Sequence, residues 1–295
     1  GASAPCWRRS SPAWLATAGL RSGRLRVETK DWYLSNGDDS GTLSYGYNTP
    51  VLALQWLPSP VLNLYVSAGQ GFESPTLNEL SYRPDGATGF NTSLQPQTSL
   101  QLELGAKWRE DALGLGVEAA LFRADTDDEI GVLTNAGGRS TFQNVGSTRR
   151  SGAEMALRWQ PLATWRALLA LTYLNAEYRD SFQTCAAVPC LGPTDRVTVP
   201  AGNQSAGTLA RSAFASLAWR PLLNTEMAVE VRYQGEMPVN DRNSDFSPSA
   251  TVTALRLSQS IPLGPGVLSL LARVDNLFDQ VYAGAVIVNE SNGRY

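Results

Sequence analysis

The sequence predicts an all-β chain built as an antiparallel transmembrane β-barrel, and three observations predict it. Apolar and polar residues alternate with period two over long stretches. Short turns recur, most of them directly after a Trp. The connections between the resulting hairpins are long and polar. Composition agrees: charged residues make up only 17% of the chain, against 26 Gly, 8 Trp and 10 Tyr. No run reaches the roughly 18–20 continuous apolar residues of a membrane helix. Barrel strands alternate, so their mean hydropathy stays near zero.

The alternation is clearest over 100–109. Leu100, Leu102, Leu104, Ala106 and Trp108 share one face, and Gln101, Glu103, Gly105, Lys107 and Arg109 the other. A helix would mix these residues, whereas a strand sorts them. The same sorting sets Ala153, Met155, Leu157 and Trp159 against Gly152, Glu154, Ala156 and Arg158. It also sets Met227, Val229, Val231 and Tyr233 against Glu226, Ala228, Glu230, Arg232 and Gln234. Weaker versions run through 62–69, 115–121, 213–219 and 268–275.

In chain order the pattern gives eleven strands, near 15–28, 48–57, 61–72, 99–109, 114–127, 140–159, 164–179, 209–219, 225–234, 250–261 and 266–282. Short turns follow Trp56, Trp108, Trp159 and Trp219, and a further turn at 261–265 lacks the Trp. The opposite connections, 35–47, 73–98, 180–208 and 235–249, are long and polar. Short turns at one end and long loops at the other are the outer-membrane pattern. Trp56, Trp108, Trp159 and Trp219 are therefore expected in an aromatic girdle at the short-turn interface. An Arg or Lys facing lipid at the midplane costs about 2–4 kcal/mol. Glu103, Lys107, Glu154, Arg158, Glu230 and Arg232 are accordingly expected to face the interior. Eleven is odd, and bacterial single-chain barrels have an even number of strands. With no signal peptide at the start, the expectation is a native protein longer at both ends, lacking here one final inward strand.

Function classes narrow by elimination. The net charge of -3 and pI of about 5.2 give no basic footprint for nucleic acid. There is no His, which removes the commonest metal ligand and general base. Neither a G-x-S-x-G elbow nor a paired-carboxylate signature is present, so an enzyme is disfavoured and no cofactor is expected. Cys185 and Cys190 lie close together in a Pro- and Ala-rich segment. A local disulfide is expected there, with two free thiols as the alternative. No metal site is expected. The acidic run Asp125, Asp127, Asp128 and Glu129 lacks calcium-loop spacing and reads as a solvated rim, with divalent ions bridging lipopolysaccharide as a variant.

Several segments resemble the TonB-dependent receptors. Gly69-Gln70-Gly71-Phe72-Glu73-Ser74-Pro75-Thr76-Leu77-Asn78-Glu79-Leu80 resembles their G-x-G-F-x-x-P-T-L-N-E-L segment. Leu94-Gln95-Pro96-Gln97-Thr98-Ser99, followed by Leu102-Glu103-Leu104-Gly105, is similar to L-K-P-E-x-S…E-L-G. The run from Phe122 to Ile130 resembles F-x-x-D-I-D-D-E-I. The run from Phe142 to Gly152, containing Asn144 and Arg149, resembles Y-Q-N-x-G-x-T-R-x-x-G-x-E. Arg273 to Tyr282, containing Asn276, Leu277, Phe278 and Asp279, resembles the C-terminal V-x-N-L-F-D-x-x-Y signature. The matches appear in the family's order and cover about residues 15–295.

The resemblance implies a barrel of about 22 strands whose lumen is plugged, of which 13–295 would be a part; 1–12 stay unassigned. It implies an outer-membrane location, lipid and lipopolysaccharide around the wall, and import driven through TonB acting on a plug domain. No plug and no TonB-box segment can be found in this chain. A ferric siderophore is the expected ligand, with cobalamin, copper, haem or a saccharide as other cargoes. A passive porin-like or adhesive barrel, and a soluble β-rich binding or enzyme domain, are the rival readings. Ligand contacts are sought among loop residues Tyr82, Arg83, Phe90, Arg139, Tyr178, Arg179 and Arg196, although ordinary solvated positions are the stronger reading for each. Pro75, Asn78 and Glu79 are expected to end a strand and cap a turn, and Asn276 and Asp279 to shape a strand end.

Overall fold

The computed structural model describes residues 13–35, 38–84, 89–136, 139–185 and 193–288. In chain order the elements are β1 (Ala13–Thr29), β2 (Gly41–Ser59), β3 (Leu62–Glu73), a one-turn helix α1 (Leu77–Leu80), β4 (Gln97–Glu110), β5 (Leu115–Asp127), β6 (Ile130–Ala136), β7 (Arg139–Asn144), β8 (Thr148–Leu162), β9 (Trp165–Tyr178), β10 (Phe182–Cys185), β11 (Arg196–Val199), β12 (Arg211–Leu222), β13 (Thr225–Gln234), β14 (Met237–Pro238), β15 (Phe246–Ser247), β16 (Ala250–Leu263) and β17 (Gly266–Val274). Eleven of the strands form one sheet in the order β1-β2-β3-β4-β5-β8-β9-β12-β13-β16-β17. Every pairing in it is antiparallel, and each strand lies beside its sequence neighbours. The six short strands form hairpins inside the long connections.

The registers stagger the strands. Directly opposed residues run Trp14, Trp56, Leu64, Ala106, Ala119, Met155, Leu171, Ala213, Tyr233 and Thr251. That row begins beside the short turns at Trp14 and ends beside the long loops at Thr251. Such a slant is the stagger of tilted barrel strands. All these residues share one face, because cross-strand partners do.

Trp56, Trp108, Trp159 and Trp219 emerge on that face at the short-turn end, as do Trp14 and Trp165. Trp14 stacks on Trp56 with ring centroids 5.6 Å apart, and Trp165 on Trp219 at 5.7 Å. Between the Trp residues and the first basic residues near the loop end, this face carries no Asp, Glu, Lys or Arg on any strand of the sheet. Charges return eight positions from the Trp level at Arg211 before Trp219 and at Arg123 after Leu115, the partner of Trp159, and ten positions away at Arg24 after Trp14 and at Arg149 before Trp159. At about 3.3 Å per residue and a tilt of about 35–45°, eight to ten positions climb roughly 20–25 Å, close to the height of the apolar band of outer-membrane barrels. Leu104, Leu121 and Tyr173 lie in this band, each more than half exposed. Soluble monomers rarely display apolar surface so extended.

The opposite face is polar and packs in its own way. Three glycines there are each directly opposed by an aromatic ring: Gly23 by Tyr47, Gly105 by Tyr65 and Gly152 by Phe122. A Cβ on Gly105 would lie 2.3 Å from the Tyr65 ring, and one on Gly152 would lie 2.1 Å from the Tyr173 carbonyl oxygen. The rings fill the space that the missing side chains leave, a known means of holding glycine in a sheet.

Three expected strand bounds move. The strand expected at 140–159 divides into β7 and β8, because Gly146 takes φ +85° and turns the chain between them. The preceding segment folds back as the β6–β7 hairpin, so Phe142 and Asn144 belong to a loop structure. The strand expected at 266–282 stops at Val274, since Asn276 and Asp279 both adopt φ +51°, outside any strand conformation. β2 starts at Gly41 instead of 48, and its first half pairs with 23–29 of β1. The connections at 180–208 and 235–249 are not featureless, since they fold into β10–β11 and β14–β15.

Candidate functional site

The polar face of the sheet carries a network of paired charges. Glu226 of β13 accepts from Arg166 of β9 at 3.0 Å, from Arg220 at 2.9 Å and from Arg256 of β16 at 2.9 Å. Arg256 also lies 3.5 Å from Glu230, which accepts from Arg273 of β17 at 2.8 Å. A second group gathers on Glu118 of β5, with Arg158 at 2.8 Å and Lys107 at 3.9 Å. Tyr65 donates its hydroxyl to Glu103 at 2.6 Å, and Lys107 sits over the Tyr65 ring at 5.6 Å. Glu103, Lys107, Glu154, Arg158, Glu230 and Arg232 all fall on this face, opposite the Trp rows. Alternation supplies the placement, since charges two residues apart return to the same side. Arg166, Arg220, Arg256 and Arg273 were not singled out by the sequence. Only the cross-strand registers bring them to Glu226 and Glu230.

At the loop end the connections are tied to one another. Asn144 is a two-way clamp: its amide nitrogen donates to the Gln95 and Asp128 carbonyls, and its side-chain oxygen accepts from the Gln95 amide at 2.8 Å. Asn243 clamps Gln204 in the same manner, and Asn276 clamps Gln280. In each case a side-chain amide takes the place of a peptide group. Thr76 and Glu79 form a reciprocal capping box at the start of α1, and the Asn78 carbonyl accepts from Ser81. Phe72 stacks on Tyr47 at 4.5 Å. Pro75 separates β3 from this turn.

The acidic run is divided between the two faces. Asp125 points to the Trp side and joins Arg123 at 2.7 Å and Arg149 at 2.5 Å. Glu129 turns to the polar side, where Arg150 holds it at 2.8 Å and the Thr148 hydroxyl also donates to it. Burial alone would raise the Glu129 pKa. The Arg150 hydrogen bonds and charge, with the Thr148 hydroxyl, outweigh burial and hold the carboxyl below its ordinary range. Asp180 is also held low, by the Ser147 hydroxyl and then by the Ser147 amide. Among the described residues, no three His, Cys, Asp or Glu come together as a metal site.

The loop residues considered for ligand contact scatter. Tyr82, just after α1, is exposed and Arg83 half-buried; Phe90 is half-buried in the same loop. Arg139 opens β7. Arg179 pairs with Glu177 at 2.7 Å. Arg196 begins β11, and its Nε is buried without a hydrogen-bond partner. Tyr178 departs from the expectation of an open contact. It is 7% exposed and donates its hydroxyl to Asp241 at 2.6 Å, and its ring packs with Val145, Val199 and Phe182. It braces three loops from beneath and offers little surface to a ligand. Cys185 is disulfide-bonded, while Cys190 lies outside the described residues.

Known proteins share this architecture. Residues 7–277 match the family model described as TonB dependent receptor-like, beta-barrel. The chain is 24% identical over 274 residues to the vitamin B12 transporter BtuB of Vibrio vulnificus, covering 91% of this chain and 38% of that protein. It is 22% identical over 258 residues to the probable TonB-dependent siderophore receptor PiuA of Acinetobacter baumannii, covering 81% of this chain and 31% of that protein. The crystal structure of PiuA superposes with a TM-score of 0.71 at 18% identity, covering 91% of this chain and 37% of the other. The copper transporter OprC superposes at 0.69 with 19% identity, covering 92% and 39%. The chain therefore spans well under half the length of these relatives.

Proposed function

This chain belongs to the TonB-dependent receptor family, whose β-barrels lie in the bacterial outer membrane, and on that premise we propose that residues 13–295 form part of the wall of an active importer of a ferric siderophore. One observation supports the membrane wall above all: a face with no charge over roughly 20 Å, backed by a face that carries the paired ions around Glu118, Glu226 and Glu230. The polar face fits a wide lumen occupied by a plug, with Glu226, Glu230 and Glu118 and their arginines available to it. The loop end fits the mouth where a ligand enters. Siderophore cargo is suggested by PiuA, whose name carries that role. The likeness to BtuB supports cobalamin as a second reading. A soft-metal cargo bound in this part is disfavoured, since the chain has no His and 3 Met.

Coupling is proposed to reach the barrel from TonB through a plug domain. Uptake tests all of this together. Cells carrying the intact gene should accumulate labelled ferric siderophores above cells lacking it, and a protonophore or removal of TonB should abolish the difference. Uptake that survives de-energisation would identify a passive pore. Accumulation of labelled cobalamin but not of ferric chelates would transfer the cargo to the second reading.

A further inference from the structure

The two halves of the polar face hold opposite balances of charge. Toward β13 and β16, Glu226 and Glu230 are matched by Arg166, Arg220, Arg256 and Arg273. On β3, β4, β5 and β8 the balance reverses. Two hollows of about 320 and 310 Å³ open there and share Gln101 and Ala124 in their linings. Joined, they form a groove within the size range of small-molecule sites. Its lining is mostly small, with Ser67, Gly69, Gly71 and Ser99. Glu103 and Glu154 line the hollow nearer the short turns, and Glu73 lines the one at the loop end. Glu103 accepts from the Tyr65 hydroxyl at 2.6 Å, and Glu73 from the Gln97 amide at 2.7 Å. Among the described residues none of these three carboxylates is paired with a Lys or Arg. Arg150, the base that lines the groove, is turned to Glu129 at 2.8 Å. Below the groove, Lys107 and Arg158 are drawn to Glu118.

The combination is specific in chemistry. A glutamate already matched by arginines projects little field. Three glutamates without cations, set along one groove with low-dielectric walls, attract positive charge and repel negative charge. Lumen positions are also where outer-membrane barrels tune selectivity. We propose that this groove is the surface the cargo meets inside the lumen, and that Glu73, Glu103 and Glu154 select a neutral or cationic cargo against an anionic one. The inference rests on the importer reading of the same wall and narrows the charge class of what is imported. The rival chemistry is a basic segment of a plug docked on the same carboxylates, which would hold them whatever the cargo.

Three radiolabelled ferric complexes separate the charge classes: a singly cationic trihydroxamate, a neutral trihydroxamate and a triply anionic tricatecholate. Cells carrying the intact gene should accumulate the first two at least about tenfold faster than the third, the fold-change of one charge-assisted contact. Glu103→Gln with Glu154→Gln should bring that ratio toward one. Glu103→Lys with Glu154→Lys should invert it, and Glu103→Asp with Glu154→Asp should preserve it. Heat-modifiable gel mobility would verify that each variant is folded. Faster uptake of the anionic complex by the unaltered protein overturns the proposal, as does a ratio that the Gln pair leaves unchanged. Equal loss of all three complexes in the Gln pair also overturns it and assigns the carboxylates to holding a plug. Cells that accumulate cobalamin and no ferric complex defeat the siderophore reading alone. The same variants, assayed with cobalamin bearing an added amine or an added carboxylate, then decide the groove: equal uptake of the two derivatives by the unaltered protein would sink it.

Discussion

The two faces of the one sheet treat charge in opposite ways. On the Trp side, ions are absent from the Trp level up to Arg123, Arg149 and Arg211 near the loop end. On the polar side, at the same heights, Glu226 alone gathers three guanidinium groups. Both faces are built by the same strands, and often by adjacent residues, as with Met227 beside Glu226. The difference teaches that solvent, and not secondary structure, sets the residue type at each position. A face against hydrocarbon has no water to compensate an ion, whereas a lumen face supplies water and counter-ions.

The largest test moves a charge across the sheet. Leu104→Arg should destabilise the barrel in lipid vesicles by about 2–4 kcal/mol, measured by urea unfolding of the full-length protein. Ala156→Arg, on the polar side opposite Glu118, should cost well under about 1 kcal/mol. Equal losses would erase the distinction between the faces. Next, glycine tolerance should differ. Gly152→Ala forces a Cβ against the Tyr173 carbonyl oxygen and should cost about 1–3 kcal/mol. Gly46→Ala, with nothing within 4 Å of its would-be Cβ, should fall within about 0.5 kcal/mol of the unaltered protein in the same titration. Glu226→Gln leaves Arg166, Arg220 and Arg256 facing one another. About 1–2 kcal/mol should be lost, a modest figure because those arginines are 25–51% exposed.

The smallest expected effect is local and pH-dependent. The folded-state pKa of Glu129 lies below its unfolded value of about 4.3. Its contribution is therefore complete above that value and fades as pH falls through the folded pKa. Protection from hydrogen exchange across 128–136 and 139–147, taken relative to the intrinsic rate at each pH, should fall in that acidic window and be constant above about pH 5. Glu129→Gln should remove the pH dependence while leaving the exchange of β8 and β9 unchanged.

The sheet was legible because period-two sorting is a local property. Leu100 to Arg109 announces both its strand and its faces without any neighbour. The Trp-linked turns were legible for the same reason, although Trp14 and Trp165 escaped notice because they open strands instead of closing them. What stayed hidden depends on partners distant in sequence. Glu226 reads as one more polar-face residue until β9 and β16 deliver Arg166 and Arg256 to it. Tyr178 read as a loop aromatic because nothing nearby in sequence shows that Asp241, Val145 and Val199 cover it. The β7–β8 break is silent in the sequence because Thr141 to Val145 carries strand-forming residues, and only the positive φ of Gly146 separates the two strands. The loop hairpins carry too few residues for alternation to stand out.

The asparagine clamps have a consequence for the protein's ageing. Asn144, Asn243 and Asn276 each work by giving to the carbonyl and receiving from the amide of one residue, which a carboxylate, having no proton to give, cannot do. Hydrolysis of any of these amides would alter the side chain by a single group and yet set a negative oxygen against a backbone carbonyl. A long-lived molecule at the cell surface would in this way lose loop anchorage gradually, one clamp at a time, while its strands stayed intact.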